Sequence, residues 1–221
     1  DYLFTINKNN KLKALVTAGP TNEYIDPVRF ITNKSSGKQG YEIARSLLRN
    51  GYQTTLISGP TNLKIDDEIK LIRVETAEQM FKETQKSLPV DVAIFSAAVA
   101  DFKISEKNDV KIKKKDELII NLEKNVDILN YVSNHNSMRP KLVIGFAAET
   151  NNLEDNAIKK LKNKNCDMII ANDVSNKNIG FDSDLNEVTI FYKNNKKEKL
   201  FVKKKSIISE EIVERINSQL N

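Results

Sequence analysis

One cysteine, Cys166, and one histidine, His135, stand in a chain of 221 residues. A single cysteine excludes an intrachain disulfide and suits a reducing compartment, so a cytoplasmic location is expected. One of each also excludes a Cys/His zinc site within the chain. A Cys–His nucleophilic pair would need these two residues to meet. Cys166 opens the apolar run 166–171 and is expected inside a core. His135, among Asn134, Asn136 and Ser137, is expected in a solvated loop. Long apolar runs are missing too: 90–100 is too short to span a bilayer, and Asp91 interrupts it. There is no Gly/Ser linker and no internal repeat. No basic-then-apolar leader opens the chain, and its first residue is Asp1. It reads as a trimmed segment or part of a longer polypeptide.

What is present is an ordinary globular balance, 39% hydrophobic and 29% charged, in a length that suits one α/β domain over 1–221. Apolar runs at 13–18, 53–58, 90–97, 141–147 and 167–171 read as buried strands. Helical patterns lie between them at 39–49, 77–87, 126–133 and 153–165. Strand–helix alternation of this kind predicts a Rossmann-like open parallel sheet flanked by helices. Gly51 stands where the first helix would be capped, and Thr76 with Gln79 forms a capping-box pattern before the second. Two regions break the rhythm. Short strands at 110–112 and 118–122, joined by a lysine-rich turn, predict a flap-like insertion over about 102–122. Strands at 187–192 and 199–203 around Asn194 and Asn195 predict a late antiparallel hairpin, followed by a helix at 209–220.

The net charge is +5, with lysine runs at 111–115, 196–199 and 203–205. The last two flank the predicted hairpin, where exposed lysines discourage edge pairing. They read as surface. The first run falls on the flap.

In an open parallel sheet, ligands bind at the carboxyl ends of the strands, near the point where strand order reverses. The first strand ends Thr17-Ala18-Gly19-Pro20-Thr21, and Ser35-Ser36-Gly37-Lys38-Gln39-Gly40 opens the first helix. That run is a phosphate cradle or an ordinary helix start whose glycines serve packing. The third strand ends Ser96-Ala97-Ala98-Val99-Ala100-Asp101. There Asp101 can accept from hydroxyls or an exocyclic amine, or cap a helix. Phe146, in Gly145-Phe146-Ala147-Ala148-Glu149-Thr150, can pack on a base or plug the core.

Taken together, these runs resemble the phosphopantothenate–cysteine ligase family. The resemblance is carried by Val16 to Thr21 and by Ile25-Asp26-Pro27-Val28-Arg29-Phe30-Ile31-Thr32-Asn33-Lys34-Ser35-Ser36-Gly37. Ala97 to Asp101, Lys111-Ile112-Lys113-Lys114, Gly145 to Thr150 and Ala171-Asn172-Asp173-Val174 extend it over about residues 12–219. The family's Lys-Asn-Pro-Asp-Ile stands here as Lys124-Asn125-Val126-Asp127-Ile128, which removes a preset φ angle but no reactive group.

The resemblance implies a bacterial CTP-dependent enzyme, in some relatives the C-terminal half of a bifunctional decarboxylase/synthetase. It implies joining of 4′-phosphopantothenate and L-cysteine through an acyl-cytidylate, with CTP as co-substrate and Mg²⁺ as cofactor. By matching positions, Asn33 would stabilise the reacting acyl group, and Lys111 would neutralise triphosphate charge. Gly19, Ser35, Ser36, Gly37, Ser96, Ala97, Asp101, Asn125, Val126, Asp127, Ile128, Phe146, Lys160 and Lys164 would line the nucleotide site. Ala97 and Ala98 would bind phosphopantothenate, and Arg29 would reach substrate phosphate across a homodimer interface. Neither nucleic acid nor membrane is expected as a partner. Lys160 and Lys164 stand four apart on the predicted helix, hence on one face.

Two other readings compete. An NAD(P)-dependent oxidoreductase shares the fold class. However, Gly19 and Gly37 are too far apart for its fingerprint, and the second strand closes on Ser58-Gly59-Pro60 rather than an acidic residue. A nucleic-acid-binding module would use the basic flap, but the chain lacks a row of strand aromatics for base stacking.

Overall fold

The computed structural model describes residues 11–114, 117–175 and 183–220. The chain opens with β1 (Lys13–Ala18), β2 (Asn22–Tyr24), β3 (Phe30–Thr32), α1 (Lys38–Arg49), β4 (Gln53–Ser58) and β5 (Lys70–Arg73). Next come α2 (Ala77–Ser87), β6 (Val92–Phe95), β7 (Phe102–Ile104), β8 (Leu122–Lys124) and α3 (Ile128–Ser133). It continues with β9 (Leu142–Glu149), α4 (Leu153–Asn163), β10 (Met168–Asp173), β11 (Leu185–Tyr192), β12 (Lys197–Lys204) and α5 (Lys205–Leu220).

Eight strands form one sheet in the order β12-β11-β10-β9-β6-β1-β4-β5. From β10 to β5 the pairing is parallel, while β11 and β12 close one edge antiparallel. Strand order therefore reverses between β1 and β6, which puts the switch point of a doubly wound fold there.

Strands covered on both faces need apolar residues at every position, and the inner strands have them. Val16, Leu56, Ile94, Ile144 and Ile170 point to one side, where they pack with Tyr41, Ile43 and Leu47 of α1 and Ile208, Ile212 and Val213 of α5. Their neighbours Leu15, Ile57, Ala93, Val143 and Ile169 face the other side, with Met80 of α2, Leu129 and Val132 of α3, and Leu161 of α4. Each such side chain, once buried, contributes about 1.5–3 kcal/mol. The sheet is thus a partition between an α1/α5 layer and an α2/α3/α4 layer.

Local signals set several boundaries. Thr76 and Gln79 form the expected reciprocal capping box on α2. Asp127 accepts from the Asn130 N–H, so α3 begins at Ile128 rather than at Val126. Gly51, at φ 84°, lets the chain leave α1 as its N–H bonds the Leu48 carbonyl at 2.9 Å. The hairpin β11–β12 stands where the sequence places it, and the following helix starts four residues early, at Lys205 rather than Ser209.

The flap differs from expectation. Residues 110–112 and 118–122 do not pair as strands; instead Phe102–Ile104 pairs with Leu122–Lys124 at the base of the insertion. Its turn at Lys115 and Asp116 lies outside the described residues. The polar interval 21–36 is not plain loop either, because β2 and β3 make a hairpin within it. Cys166 is buried as expected, and burial pushes its thiol up to about 12. His135 is half-buried rather than solvated: its Nδ1 accepts from the Ser137 and Met138 N–H groups, and its ring meets the Tyr131 ring edge-on at 5.4 Å. No helix among the described residues is long and apolar enough to cross a membrane.

Candidate active site

At the carboxyl ends of the strands, the 96–101 loop is stitched to β1 and the turn after it. Ser96 Oγ donates to the Thr17 carbonyl at 2.7 Å, and Ala98 N–H to the Gly19 carbonyl at 2.9 Å. Ala100 N–H reaches Thr21 Oγ1 at 3.0 Å. The first turn of α1 comes so close that a Cβ at Gly40 would lie 2.5 Å from Ser96 Oγ. Gly37, at φ 75°, stands at the start of the helix, where no side chain caps the first turn.

Two cavities flank this loop. One, of about 430 Å³, lies against the Asn33–Gly40 run on the α1/α5 side. The other, of about 490 Å³, lies against Asn125–Leu129 on the α3/α4 side. They share Ala97, Val99, Asp101, Phe146 and Lys160, so together they straddle the sheet edge like a saddle.

The α3/α4 side is held by its own charges. Asn125 donates its backbone N–H to the Asp101 carbonyl and its amide to the Ala100 carbonyl, both at 2.9 Å. Lys164 pairs with Asp127, while Lys160 donates to the Phe146 carbonyl at 2.6 Å. Burial lowers the Lys160 pKa, against the opposing fields of Glu149, Asp127 and Asp101. These two lysines, readable in the sequence as a solvated helix face, turn into the site.

Asn33 lines the α1/α5-side cavity, next to the shared Val99. Its amide nitrogen donates to the carbonyls of Ala98 (3.3 Å) and Val99 (3.2 Å). Both of its N–H groups are thereby used, and Oδ1 is the atom left to meet a ligand.

Ser35, Ser36, Gly37, Ser96, Ala97, Ala98, Asp101, Asn125, Val126, Asp127, Ile128, Phe146, Lys160 and Lys164 all line one cavity or both. Gly19, Arg29 and Lys111 lie outside both walls. Gly19 is a turn residue at φ 76° packed on Gly59 and Thr61. Arg29 is bound to its own chain: Nε donates to Asp26, and Nη2 to Asp26 and to the Ile112 carbonyl. Asp26 is fully buried and also accepts from the Ile112 N–H at 3.1 Å. The Arg29 guanidinium holds the Asp26 carboxyl well below the usual carboxylate range. The peptide at Ile112, next to Lys111, is thus docked at both its N–H and its C=O.

Lys38, Gln39, Asn172, Asn186 and Lys205 also line the α1/α5-side cavity, and none was assigned a role from sequence. Lys205 sits in a lysine run that reads as surface, yet it is 5% exposed. Asn172 lay in a recognised motif but carried no chemical signal of its own. Among the described residues no trio of His, Cys, Asp and Glu is grouped to hold a metal. Asp127 is engaged by the Asn130 N–H and Lys164, so Asp101 is the wall carboxylate that suits an ion carried mainly by phosphate oxygens, as Mg²⁺ commonly is.

Known proteins carry the same architecture. A solved structure of the C-terminal domain of the coenzyme A biosynthesis bifunctional protein CoaBC superposes with a TM-score of 0.82 at 38% identity, covering 97% of this chain and 98% of that one. The CoaBC protein of Haemophilus influenzae is 44% identical over 207 residues, 93% of this chain and 51% of the relative. That of Bacillus subtilis is 42% identical over 206 residues, 91% and 50% respectively. The chain spans about half the length of these curated relatives. Residues 9–220 match the family model described as the DNA/pantothenate metabolism flavoprotein C-terminal domain. With that match over nearly the whole chain, the chain belongs to this family of C-terminal domains.

Proposed function

We propose that this chain is a phosphopantothenate–cysteine ligase, joining 4′-phosphopantothenate to L-cysteine with CTP as the activating nucleotide, in the cytoplasm. The observation that carries the reading is Asn33, fixed on the Ala98 and Val99 carbonyls in the α1/α5-side cavity, next to Val99, which both cavities share. The relatives' naming for coenzyme A biosynthesis supports it. The dinucleotide reading is not favoured, because the β2–β3 hairpin fills the interval between Gly19 and Gly37.

In the first step the phosphopantothenate carboxylate attacks the α-phosphorus of CTP and pyrophosphate leaves. In the second, the cysteine amine attacks the acyl-cytidylate and CMP leaves. Activation by nucleotidyl transfer needs no protein nucleophile, consistent with a buried Cys166 whose thiol is pushed up to about 12. The enzyme's part is alignment and charge stabilisation.

Asp101, Asn125 to Ile128, Phe146, Lys160 and Lys164 hold the cytidine, with Ser96 and Ala97 beneath it. Ser35, Ser36 and Gly37 present N–H groups and hydroxyls to phosphate. Lys111 reaches the triphosphate by a shift of the flap, and Mg²⁺ carried on the phosphates would supply further charge neutralisation. Ala98 holds phosphopantothenate through its backbone. Asn33 Oδ1 accepts from the incoming amine and steers it to the acyl carbon.

The same reading makes the protein a homodimer. Val28, Phe30, Ile31, Phe102 and Leu122 leave apolar surface exposed around Arg29, whose Nε and Nη2 are fixed by Asp26 while its exposed end faces outward toward a second copy's phosphate. Mixed dimers of Arg29→Ala and Asn33→Ala should regain activity; verified mixed dimers without recovery would return Arg29 to its own subunit's site.

The ligation itself is tested by pyrophosphate release with phosphopantothenate and cysteine, comparing kcat/KM for CTP and ATP. CTP should be much the better. Equal values would remove the CTP assignment, and no release with either would remove the ligase.

A further inference from the structure

The start of α1 is braced from two sides. On one side the Gln39 amide donates to Ser209 Oγ of α5 at 2.8 Å, and its Oε1 accepts from the Asn186 amide at 2.9 Å. On the other side comes the loop after β4, Ser58-Gly59-Pro60-Thr61. Its approach depends on glycine at position 59, because a Cβ there would lie 1.7 Å from the Pro20 carbonyl oxygen. The Gly59 N–H also bonds the Ala18 carbonyl at 2.9 Å, which ties the loop to the end of β1.

Thr61 is thereby set against two glycines at once. A Cβ on Gly19 would lie 3.0 Å from the Thr61 methyl carbon, and one on Gly37 would lie 2.9 Å from the same atom. Both glycines hold positive φ, 76° and 75°. Glycine enters that region readily and leaves it as readily, so its surroundings must keep it there. Thr61 is itself aimed by its hydroxyl. Its Oγ1 lies 2.9 Å from the Tyr41 hydroxyl, which donates to Ser58 Oγ at 3.0 Å, and Ser58 donates to the Gly59 carbonyl at 2.8 Å. With the tyrosine proton spent on Ser58, Thr61 is the donor in the first bond. Tyr41 is fully buried, so this row of three hydroxyls holds the threonine in one rotamer.

We propose that Thr61 is a positioning residue: its methyl holds Gly19 and Gly37 in place and, through them, the Ser35–Gly37 run that meets the nucleotide. The inference rests on the reading that a nucleoside triphosphate occupies the sheet edge. Thr61 and Gly19 line neither cavity, whereas Ser35, Ser36 and Gly37 all line the α1/α5-side one. Thr61 therefore acts through the glycines and not on the ligand. Its two branches have different tasks, since the methyl does the bracing and the hydroxyl only aims it. Valine, whose branched Cβ restricts χ1 without a hydroxyl, can take its place. Serine, which has the hydroxyl and no methyl, cannot.

The test compares Thr61→Val with Thr61→Ser in steady-state pyrophosphate release by the whole protein. Thr61→Ser should raise the KM for CTP about 3- to 10-fold, the scale of one methyl deleted from a packed contact. Its kcat and its KM for cysteine should stay near native. Thr61→Val should keep the native KM for CTP, even where loss of the bond to Tyr41 lowers its melting temperature. A residue that served stability alone would move the melting temperature and leave the KM for CTP unchanged in both variants. Thr61→Ser with a native KM for CTP would therefore overturn the proposal, and so would Thr61→Val impaired as much as Thr61→Ser. Calorimetric titration of the same proteins with CTP separates this claim from the ligase reading. A protein that releases no pyrophosphate, yet binds CTP more weakly in Thr61→Ser alone, would sink the ligase reading and leave the brace standing.

Discussion

The two cavities share one rim and are held open by different means. On the α3/α4 side the charged groups already have partners: Lys164 is paired with Asp127, and Lys160 sits on the Phe146 carbonyl. On the α1/α5 side Lys38 is paired with Asp184 and the Asn186 amide is held by Gln39, while the buried Asn172 side chain has no hydrogen bond among the described residues. A site whose charges are paired in advance is rigid and discriminates by shape. A buried amide left unbonded takes its bonds from whatever enters the cavity.

The largest effect expected from breaking this arrangement is at Asn33. Asn33→Asp replaces the amide NH2 that donates to the Ala98 and Val99 carbonyls with one carboxylate oxygen and sets a negative charge beside the reacting carbon. It should cost about 100- to 1000-fold, the scale of losing one preorganised donor in an active site, and chiefly after activation. Lys111→Gln should slow activation itself. Quenched single-turnover reactions without cysteine decide the order. Asn33→Asp should accumulate acyl-cytidylate and stall on cysteine addition, whereas Lys111→Gln should accumulate little. The reverse pattern would exchange their roles.

A smaller effect is expected at the joint between the flap and the 26–29 turn. Asp26→Asn weakens its bonds to Arg29 and to the Ile112 N–H, so the lysines at 111–114 should be cut faster by trypsin and the melting temperature near neutral pH should fall. An unchanged cleavage rate would mean the flap is held by something else. Because the Asp26 carboxyl titrates below its usual range, the stability it gives is present above its unfolded pKa and lost as pH falls. The acid limb of the stability profile should therefore flatten in Asp26→Asn.

The smallest effect concerns a residue that the proposed chemistry leaves aside. The Cys166 thiol is raised from 9.0 to about 12, so the stability it contributes is whole below about pH 9 and declines as pH rises toward 12. Cys166→Ala should lose that alkaline slope and keep activity near neutral pH. In the native protein the thiol should react with Ellman's reagent far more slowly than in the urea-unfolded chain. Equal rates would contradict its burial.

Legibility from sequence follows the same divide between regular and irregular parts. β1, β4 and α2 were readable to the residue, because doubly covered strands and a capping box leave strong local patterns. β5 was missed: it is four residues long, and only its central Leu71 and Ile72 are apolar. β2, β3, β7 and β8 have three residues each, too few to show a period, and the strands expected at 110–112 and 118–122 did not form. The motif loops at 33–37, 96–101 and 125–128 gave most of the site through their resemblance to a family. Lys205 was hidden inside a lysine run, and only its place at the start of α5, packed under Gln39, separates it from its exposed neighbours. Asn186 lay one residue before the strand expected at 187–192, with no chemical signal of its own.

The Gln39–Ser209 bond closes over 170 residues of chain. Closing so long a loop carries an entropic cost, and contacts of such separation form late in folding. The parallel strands can be laid down in order as the polypeptide emerges, but the wall made by Asn186 and Lys205 exists only once β11 and α5 have arrived. A ribosome-bound intermediate ending before Lys205 would carry the α3/α4-side cavity without the far wall of the α1/α5-side one. Completion of that second cavity would then report that synthesis has reached α5.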